Sequence, residues 1–369
     1  MKTLRIKDIC DKGSSNLKQK DVQGFDGKYP VYGASGIIGK VNDYHQDKEY
    51  IAIVKDGSGI GRVSFMPAYS SVIGTLQYIL PKEGYNIKYI SYCLQSLDLA
   101  NFKQGAAIPH IYFRDYGEFL VNVEENIEKQ QQIVSFLDSE FEKIDALKAN
   151  AEKQLQAAKD LFQKALKEML TPKDGWEEKT LDEISYDMFR GSGITREQIR
   201  NEGIACVRYG EIYTTYNYWF ENCVSHTDEQ IIKSPKYFEH GDILFAITGE
   251  SVEDIGKSIA YLGNEKCMAG GDIVVMKHNE NPTYLSYALA TPDAVAQKGF
   301  GKTKLKVVHT NIPSLKTIVI PIPSLKEQQA TANNLDVLSA KVKQLEKNYN
   351  ETITLCNDLK QSLLKRIFE

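Results

Sequence analysis

The sequence predicts an α+β fold: two α/β-type globular domains in pseudo-twofold repeat, joined by two long antiparallel coiled-coil helices. Three observations lead there. First, the chain repeats itself. Glu128-Lys129-Gln130-Gln131-Gln132 followed by Phe136-Leu137-Asp138 returns 198 residues later as Lys326-Glu327-Gln328-Gln329 followed by Asn334-Leu335-Asp336. The same offset carries Asp160-Leu161-Phe162-Gln163-Lys164 onto Asp358-Leu359-Lys360-Gln361-Ser362. Self-similarity at this scale means two copies of one structural unit. Second, each copy ends in a long segment of good helix formers with apolar residues seven apart. Third, the stretches before those segments are rich in Gly, Tyr, Val and Ile and hold short strand-like runs.

In chain order, residues 1–125 form the first globular domain, 126–171 the first long helix, 172–323 the second domain and 324–369 the second long helix. Lys2-Thr3-Leu4 with Gly13-Ser14 resembles Lys179-Thr180-Leu181 with Gly191-Ser192. Tyr50-Ile51-Ala52-Ile53-Val54 and Asp242-Ile243-Leu244-Phe245-Ala246-Ile247 read as strands bounded by glycine turns. Asn86-Ile87-Lys88-Tyr89 answers Asn281-Pro282-Thr283-Tyr284. Thr171-Pro172-Lys173-Asp174-Gly175 ends the first long helix, because Pro172 cannot continue it and Gly175 supplies a turn. The long segments match better than the domains, so the helices read as common frame and the domains as variable heads.

In the first long segment Leu137, Ile144, Ala151, Ala158 and Ala165 lie seven apart, with Leu147 and Leu161 on the companion position. In the second, Leu335, Val342, Tyr349, Cys356 and Leu363 do the same, with Leu338, Leu345 and Leu359 three residues on. Such a repeat is a coiled-coil seam. At about 1.5 Å per residue each helix would span roughly 60 Å. A homodimer zipper, or a helix buried against its own domain, would also use this pattern. The preferred pairing sets the two helices against each other, antiparallel, with Ala151 near Tyr349 and Ala158 near Val342, small against large. Glu140 and Gln154 are poor seam residues.

The 369 residues are 25% charged and 42% apolar, ordinary for a globular protein. A net charge of −4 and a pI near 6.0 exclude a polybasic or histone-like protein. They leave nucleic-acid binding open, since acidic helices mask a basic face in the total. Six cysteines without a C-x-x-C pair give neither a disulfide framework nor a zinc site, and point to a reducing cytoplasm. No signal peptide or membrane span is expected, because Asp8 interrupts the start before an apolar stretch builds up.

Few motifs carry chemistry. Asn281-Pro282-Thr283-Tyr284 approaches the N-P-P-[YF] loop of adenine methyltransferases, but its repeat partner has no proline and no F-x-G-x-G loop occurs. A helix start capped by Asn281, with Pro282 first, explains it as well. Gly57-Ser58-Gly59-Ile60-Gly61 and Gly33-Ala34-Ser35-Gly36 match neither dinucleotide nor P-loop patterns and read as hairpin turns. Pro172, Asp174, Glu177 and Lys179 hold nuclease-like letters at too short a separation. The six histidines show no metal spacing, although His110 and His309 fall at similar places upstream of the paired glutamines.

Taken together, the chain resembles the specificity (S) subunit of type I restriction–modification systems. The strongest pieces are Ile320-Pro321-Ile322-Pro323-Ser324-Leu325-Lys326-Glu327-Gln328-Gln329, similar to the family's I-P-L-P-P-L-x-E-Q-Q opening of the second helix, and Gly241-Asp242-Ile243-Leu244-Phe245 with Ala269-Gly270-Gly271-Asp272-Ile273. The first copy, Phe119-Leu120-Val121-Asn122-Val123-Glu124-Glu125-Asn126-Ile127-Glu128, lacks the prolines. The resemblance implies two target-recognition domains reading a split site in double-stranded DNA, and docking of two methyltransferase subunits. Two motor-nuclease subunits would join in a cleaving assembly. S-adenosylmethionine, ATP and Mg²⁺ would belong to those partners, with no cofactor or metal in this chain. A rigid antiparallel helix pair would then fix the separation of two half-sites on DNA rising about 3.4 Å per base pair.

Base edges are read by Arg, Lys, Asn, Gln and Glu, and phosphates are held by Tyr, Ser, Thr and Lys. In the second head these types crowd at Arg208, Tyr209, Glu211, Tyr213, Tyr216 and Asn217, then at Thr248, Glu250 and Ser251, and at Lys302, Lys304, Lys306 and His309. In the first head the counterparts are Tyr32, Ser35, Lys55, Ser58, Arg62, Lys103, Gln104 and His110. The competing classes are an autonomous DNA nuclease or methyltransferase, which the empty motif search disfavours, and a scaffold whose heads bind protein.

Overall fold

The computed structural model describes residues 1–24, 27–57, 59–105, 109–252, 254–301 and 308–369. It has the predicted α+β class: sheets and short helices in each head, and two 44-residue helices, Ile127–Leu170 and Leu325–Phe368. Two compact units result, each holding one head with part of both long helices. The first is Met1–Lys153 with Tyr349–Glu369, the second Gln154–Asn348.

In the first unit, Lys2–Arg5 pairs antiparallel with Leu120–Val123, the strand that precedes the first long helix. A four-stranded sheet runs in the order Cys10–Ser14, Leu76–Pro81, Tyr50–Val54, Val63–Met66, and a three-stranded sheet in the order Gly36–Val41, Tyr29–Gly33, Ser71–Val72. The run Tyr50–Val54 is apolar throughout because both its faces are covered. Ile51 and Ile53 join a core containing Tyr89, Ile90, Val134, Leu137, Leu364 and Phe368, while Tyr50, Ala52 and Val54 join another with Val31, Val72 and Tyr78. Alternate residues of a strand point to opposite faces, so one strand seals two cores.

The second unit repeats this plan. Glu177–Thr180 pairs with Val319–Ile322. One five-stranded sheet has the order Ser185–Arg190, Ile273–His278, Ile243–Ala246, Ser258–Tyr261, Trp219–Phe220. The other has the order Ile199–Arg200, Ser225–Thr227, Ile204–Val207, Cys267–Ala269, Tyr237–Phe238. Ile243 and Phe245 face the core that includes Phe162, Leu166 and Leu335, and Leu244 and Ala246 face the core between the sheets.

Asn86 and Asn281 each cap a helix, accepting the amide three residues on from Tyr89 and Tyr284, and Pro282 opens the second of these helices. The 281–284 run is therefore a capped helix start. The long helices are capped differently. Asn126 Oδ1 accepts the Glu128 and Lys129 amides at 2.9 and 3.0 Å, whereas Ser324 and Glu327 form a reciprocal box.

Within each unit the helix segments pair in the expected antiparallel order. Asp145 meets Lys360 at 2.6 Å and Lys148 meets Asn357 at 3.0 Å in the first unit, and Ala158 and Val342 share one core in the second. The seven-residue row is buried at Leu137, Ile144, Ala151, Ala158, Leu335, Val342 and Cys356, with Ala165, Tyr349 and Leu363 half-buried; of the companion row only Leu338 is half-buried. The companion row is corrected. Leu147, Leu161, Leu345 and Leu359 are 53, 56, 39 and 49% exposed. A seam's second row can follow the first by three residues or by four, and here it follows by four. Phe141, Lys148, Leu155 and Phe162 turn inward on one helix, and Ser339, Glu346, Ile353 and Lys360 on the other. Half of that second row is polar, and it hides in the sequence behind the outward-facing leucines.

Among the described residues all six cysteines are unbridged, no group of three His, Cys, Asp or Glu is placed to hold a metal ion, and no helix is long and apolar enough to cross a membrane.

Candidate nucleic-acid interface

In both heads the loop after the doubly buried strand is bridged to the segment ending in the equivalent histidine. In the first head, His110 Nδ1 contacts Asp56 Oδ1, the Ile111 amide donates to Lys55 O at 3.0 Å, and Gln104 and His110 exchange two backbone bonds of 2.8 Å. Arg62 Nη1 donates to Ala34 O at 2.9 Å, joining the same loop to the turn that carries the exposed Ser35. The loop turns through Gly61, whose φ of +83° favours glycine and where a Cβ would lie 2.6 Å from Ala100 N. So Lys55, Arg62, Gln104, His110 and the 34–35 turn are brought together. Tyr32 is less available, half-buried against the inter-sheet core. Lys103 is exposed, and Gln104 Nε2 is engaged by Asp115 at 2.9 Å. Ser58 lies outside the described residues.

In the second head, Thr248–Gly249 pairs with Val308–His309, and Thr248 Oγ1 lies 3.1 Å from His309 Nδ1. Tyr209, Gly210, Tyr213, Thr214, Thr248, Gly249, Glu250 and Asp254 line a concavity of about 580 Å³, which unites two of the groups expected from sequence. Tyr209 is 40% exposed on its rim. Tyr213 donates to Asp254 O at 3.3 Å, and burial pushes its phenol pKa up. Ser251 Oγ donates to Asp254 at 2.7 Å within the same loop. Lys257 supports the Tyr209–Thr214 helix from beneath, donating to Tyr216 O at 3.1 Å, and burial lowers its pKa. Lys302, Lys304 and Lys306 lie outside the described residues.

Two candidates are corrected. Glu211 is only 7% exposed and is spent internally: its carboxylate accepts the Arg208 amide at 3.1 Å, Arg208 Nε at 3.1 Å and Ser225 Oγ at 2.7 Å. Tyr216 is a core residue, stacked on Phe220 at 4.2 Å with its hydroxyl accepting the Val224 amide at 2.9 Å. Asn217 is exposed, in a separate recess beside Lys159, Gln163, Lys343 and Glu346 of the long helices.

Sequence reasoning missed Arg190, Arg196 and Asp272, which share a recess with Arg208. The three arginines fall within 19 residues of one another, whereas Asp272 lies 64 residues beyond Arg208. The available signal was Gly191-Ser192 and Gly270-Gly271-Asp272, glycine turns that the fold brings together at the Ser192–Gly270 bridge.

The chain matches the family described as Type I restriction modification DNA specificity domain twice, over residues 1–157 and 173–355. A Mycoplasma pneumoniae protein, a candidate type I specificity subunit, is 28% identical over 152 residues; the match takes in 38% of this chain and 48% of that protein, about half its length. Among solved structures, a chain solved for the structural basis of complex assembly and conformational transition of the type I R-M system aligns with a TM-score of 0.72 at 14% identity, covering 99% of this chain and 96% of that one. The HsdS subunit from Thermoanaerobacter tengcongensis aligns with a TM-score of 0.50 at 16% identity, covering 99% and 95%. At these identities the structural likeness is one of fold.

Proposed function

Because this chain belongs to the type I restriction–modification DNA specificity family, we propose that it is the non-catalytic specificity subunit of such a system, with each head reading one half of a bipartite DNA site. The observation that carries this is the duplication itself: two family matches, and equivalent bridged loops in the two heads. The long helices set the spacing of the half-sites in this proposal. Assembly is proposed from the fold likeness to the chain solved for type I complex assembly and from the surface. Exposed apolar residues recur at equivalent places: Leu120 and Val319, Ile127 and Leu325, Leu147 and Leu345, Leu161 and Leu359. Surface outside a core that stays apolar in both copies suits one partner bound twice. Two methyltransferase subunits fill that role, joined in a restricting complex by two motor-nuclease subunits. S-adenosylmethionine, ATP and Mg²⁺ belong to these partners, and the setting is cytoplasmic.

Mapping N6-methyladenine across the genome of a host with and without this gene tests the proposal. One bipartite motif is expected to lose methylation when the gene is removed. An unchanged methylome, or methyl transfer by the purified chain alone, would contradict it.

A further inference from the structure

Adjoining the concavity lined by Thr248 and Glu250, and sharing Tyr209, Gly210 and Thr214 with it, lies a recess of about 610 Å³ whose lining includes Arg190, Arg196 and Arg208. Two of these arginines are held in place. Arg190 Nη2 donates to Asp272 Oδ1 at 2.7 Å and its Nε meets Gly271 O. Arg208 is gripped through Nε by Glu211, which Ser225 fixes in turn. The acids of the recess leave it net positive, three charges against two, and Glu211 is buried. Gly193 and Gly210 on its lining face open space, so bare backbone is presented there.

The Arg208 side chain is 32% exposed and meets what enters the recess, whereas Arg190 and Arg196 are exposed on its lining. Base edges lie at the floor of a groove and are reached by side chains that protrude, whereas phosphates are the outermost groups of a duplex and come to the protein. Guanidiniums fixed by carboxylates are preorganised for the paired oxygens of a phosphate. We propose that the Arg190–Arg196–Arg208 recess clamps a DNA backbone phosphate beside the half-site read by the second head, so that Arg208 positions DNA instead of reading a base. The inference rests on the DNA-reading function proposed above.

The test uses the full chain in its methylating complex, with a duplex carrying the methylated motif and a scrambled duplex of equal length. Arg196→Ala and Arg190→Ala should each weaken binding to both duplexes by the same factor and lower the salt slope by about 1. Raising salt from about 50 to about 200 mM should then cost each variant about fourfold less affinity than it costs the wild type. Arg190→Lys retains the charge and should retain the slope. Arg196 is exposed, so its variant reports on the clamp even if loss of the Arg190–Asp272 pair unfolds Arg190→Ala. Unchanged slopes, or a loss confined to the cognate duplex, would overturn the clamp while leaving the specificity function standing. A wild-type complex that binds both duplexes equally would overturn that function and the clamp with it.

Discussion

At the start of the first long helix, the buried Gln130 accepts the Asn86 amide at 2.7 Å and donates to Glu124 O at 2.7 Å. At the start of the second, the buried Gln328 accepts the Asn281 amide at 2.9 Å and donates to Pro323 O at 2.9 Å. Two turns on, Asp138 accepts from the Tyr92 hydroxyl and Asp336 from that of Tyr287. The heads that these joints carry differ: one has sheets of four and three strands, the other two sheets of five. Among the described residues the first unit buries no charged side chain, whereas the second buries Glu211, Asp242 and Lys298. The joint is a satisfied polar network that tolerates little change. The face proposed to read DNA is built from loops and short strands that can vary while the joint stays the same.

The largest expected effect comes from breaking the joint. Gln130→Leu and Gln328→Leu each leave a part-buried amide and a carbonyl without their partner, and should each lower stability by about 1–3 kcal/mol, measured by urea unfolding. Similar losses in both would sharpen the equivalence of the two joints; a loss in only one would break it.

A smaller effect separates the heads. Lys298 is buried with its amine donating to Leu289 O at 2.7 Å and Ser258 Oγ at 3.1 Å, and burial holds its pKa down to about 7. In the unfolded chain a lysine titrates near about 10.4. Unfolding therefore takes up a proton between those values, and this group's contribution makes the fold more stable as pH rises across that window. Lys298→Met should raise stability most near neutral pH, with the gain shrinking toward about pH 10. A gain independent of pH would show that the amine stays charged in the fold.

The frame was legible in the sequence because heptads and paired glutamines are local signals, and the buried Gln130 and Gln328 explain why the glutamines repeat. The companion row was not, since Leu147 and Leu161 advertise a spacing of three while Lys148 and Glu346 turn inward at a spacing of four. The second head's face was half legible. Tyr209, Thr248 and Glu250 line one concavity, but Glu211 and Tyr216 are polar types used internally. The Arg190–Arg208 recess closes where the chain returns at Gly270-Gly271-Asp272, a crossing that the glycine turns mark but do not locate.

The claim that a shared frame spaces two independent readers is tested most directly by removing one heptad from each long helix, residues 151–157 and 349–355. Seven residues shorten a helix by about 10 Å, close to about three base pairs at roughly 3.4 Å each. The seams remain in phase because the surviving apolar residues stay seven apart. In the methylated motif of the variant complex, both half-sites should keep their base sequence while the unspecified spacer shortens. Altered half-sites with an unchanged spacer would contradict the account.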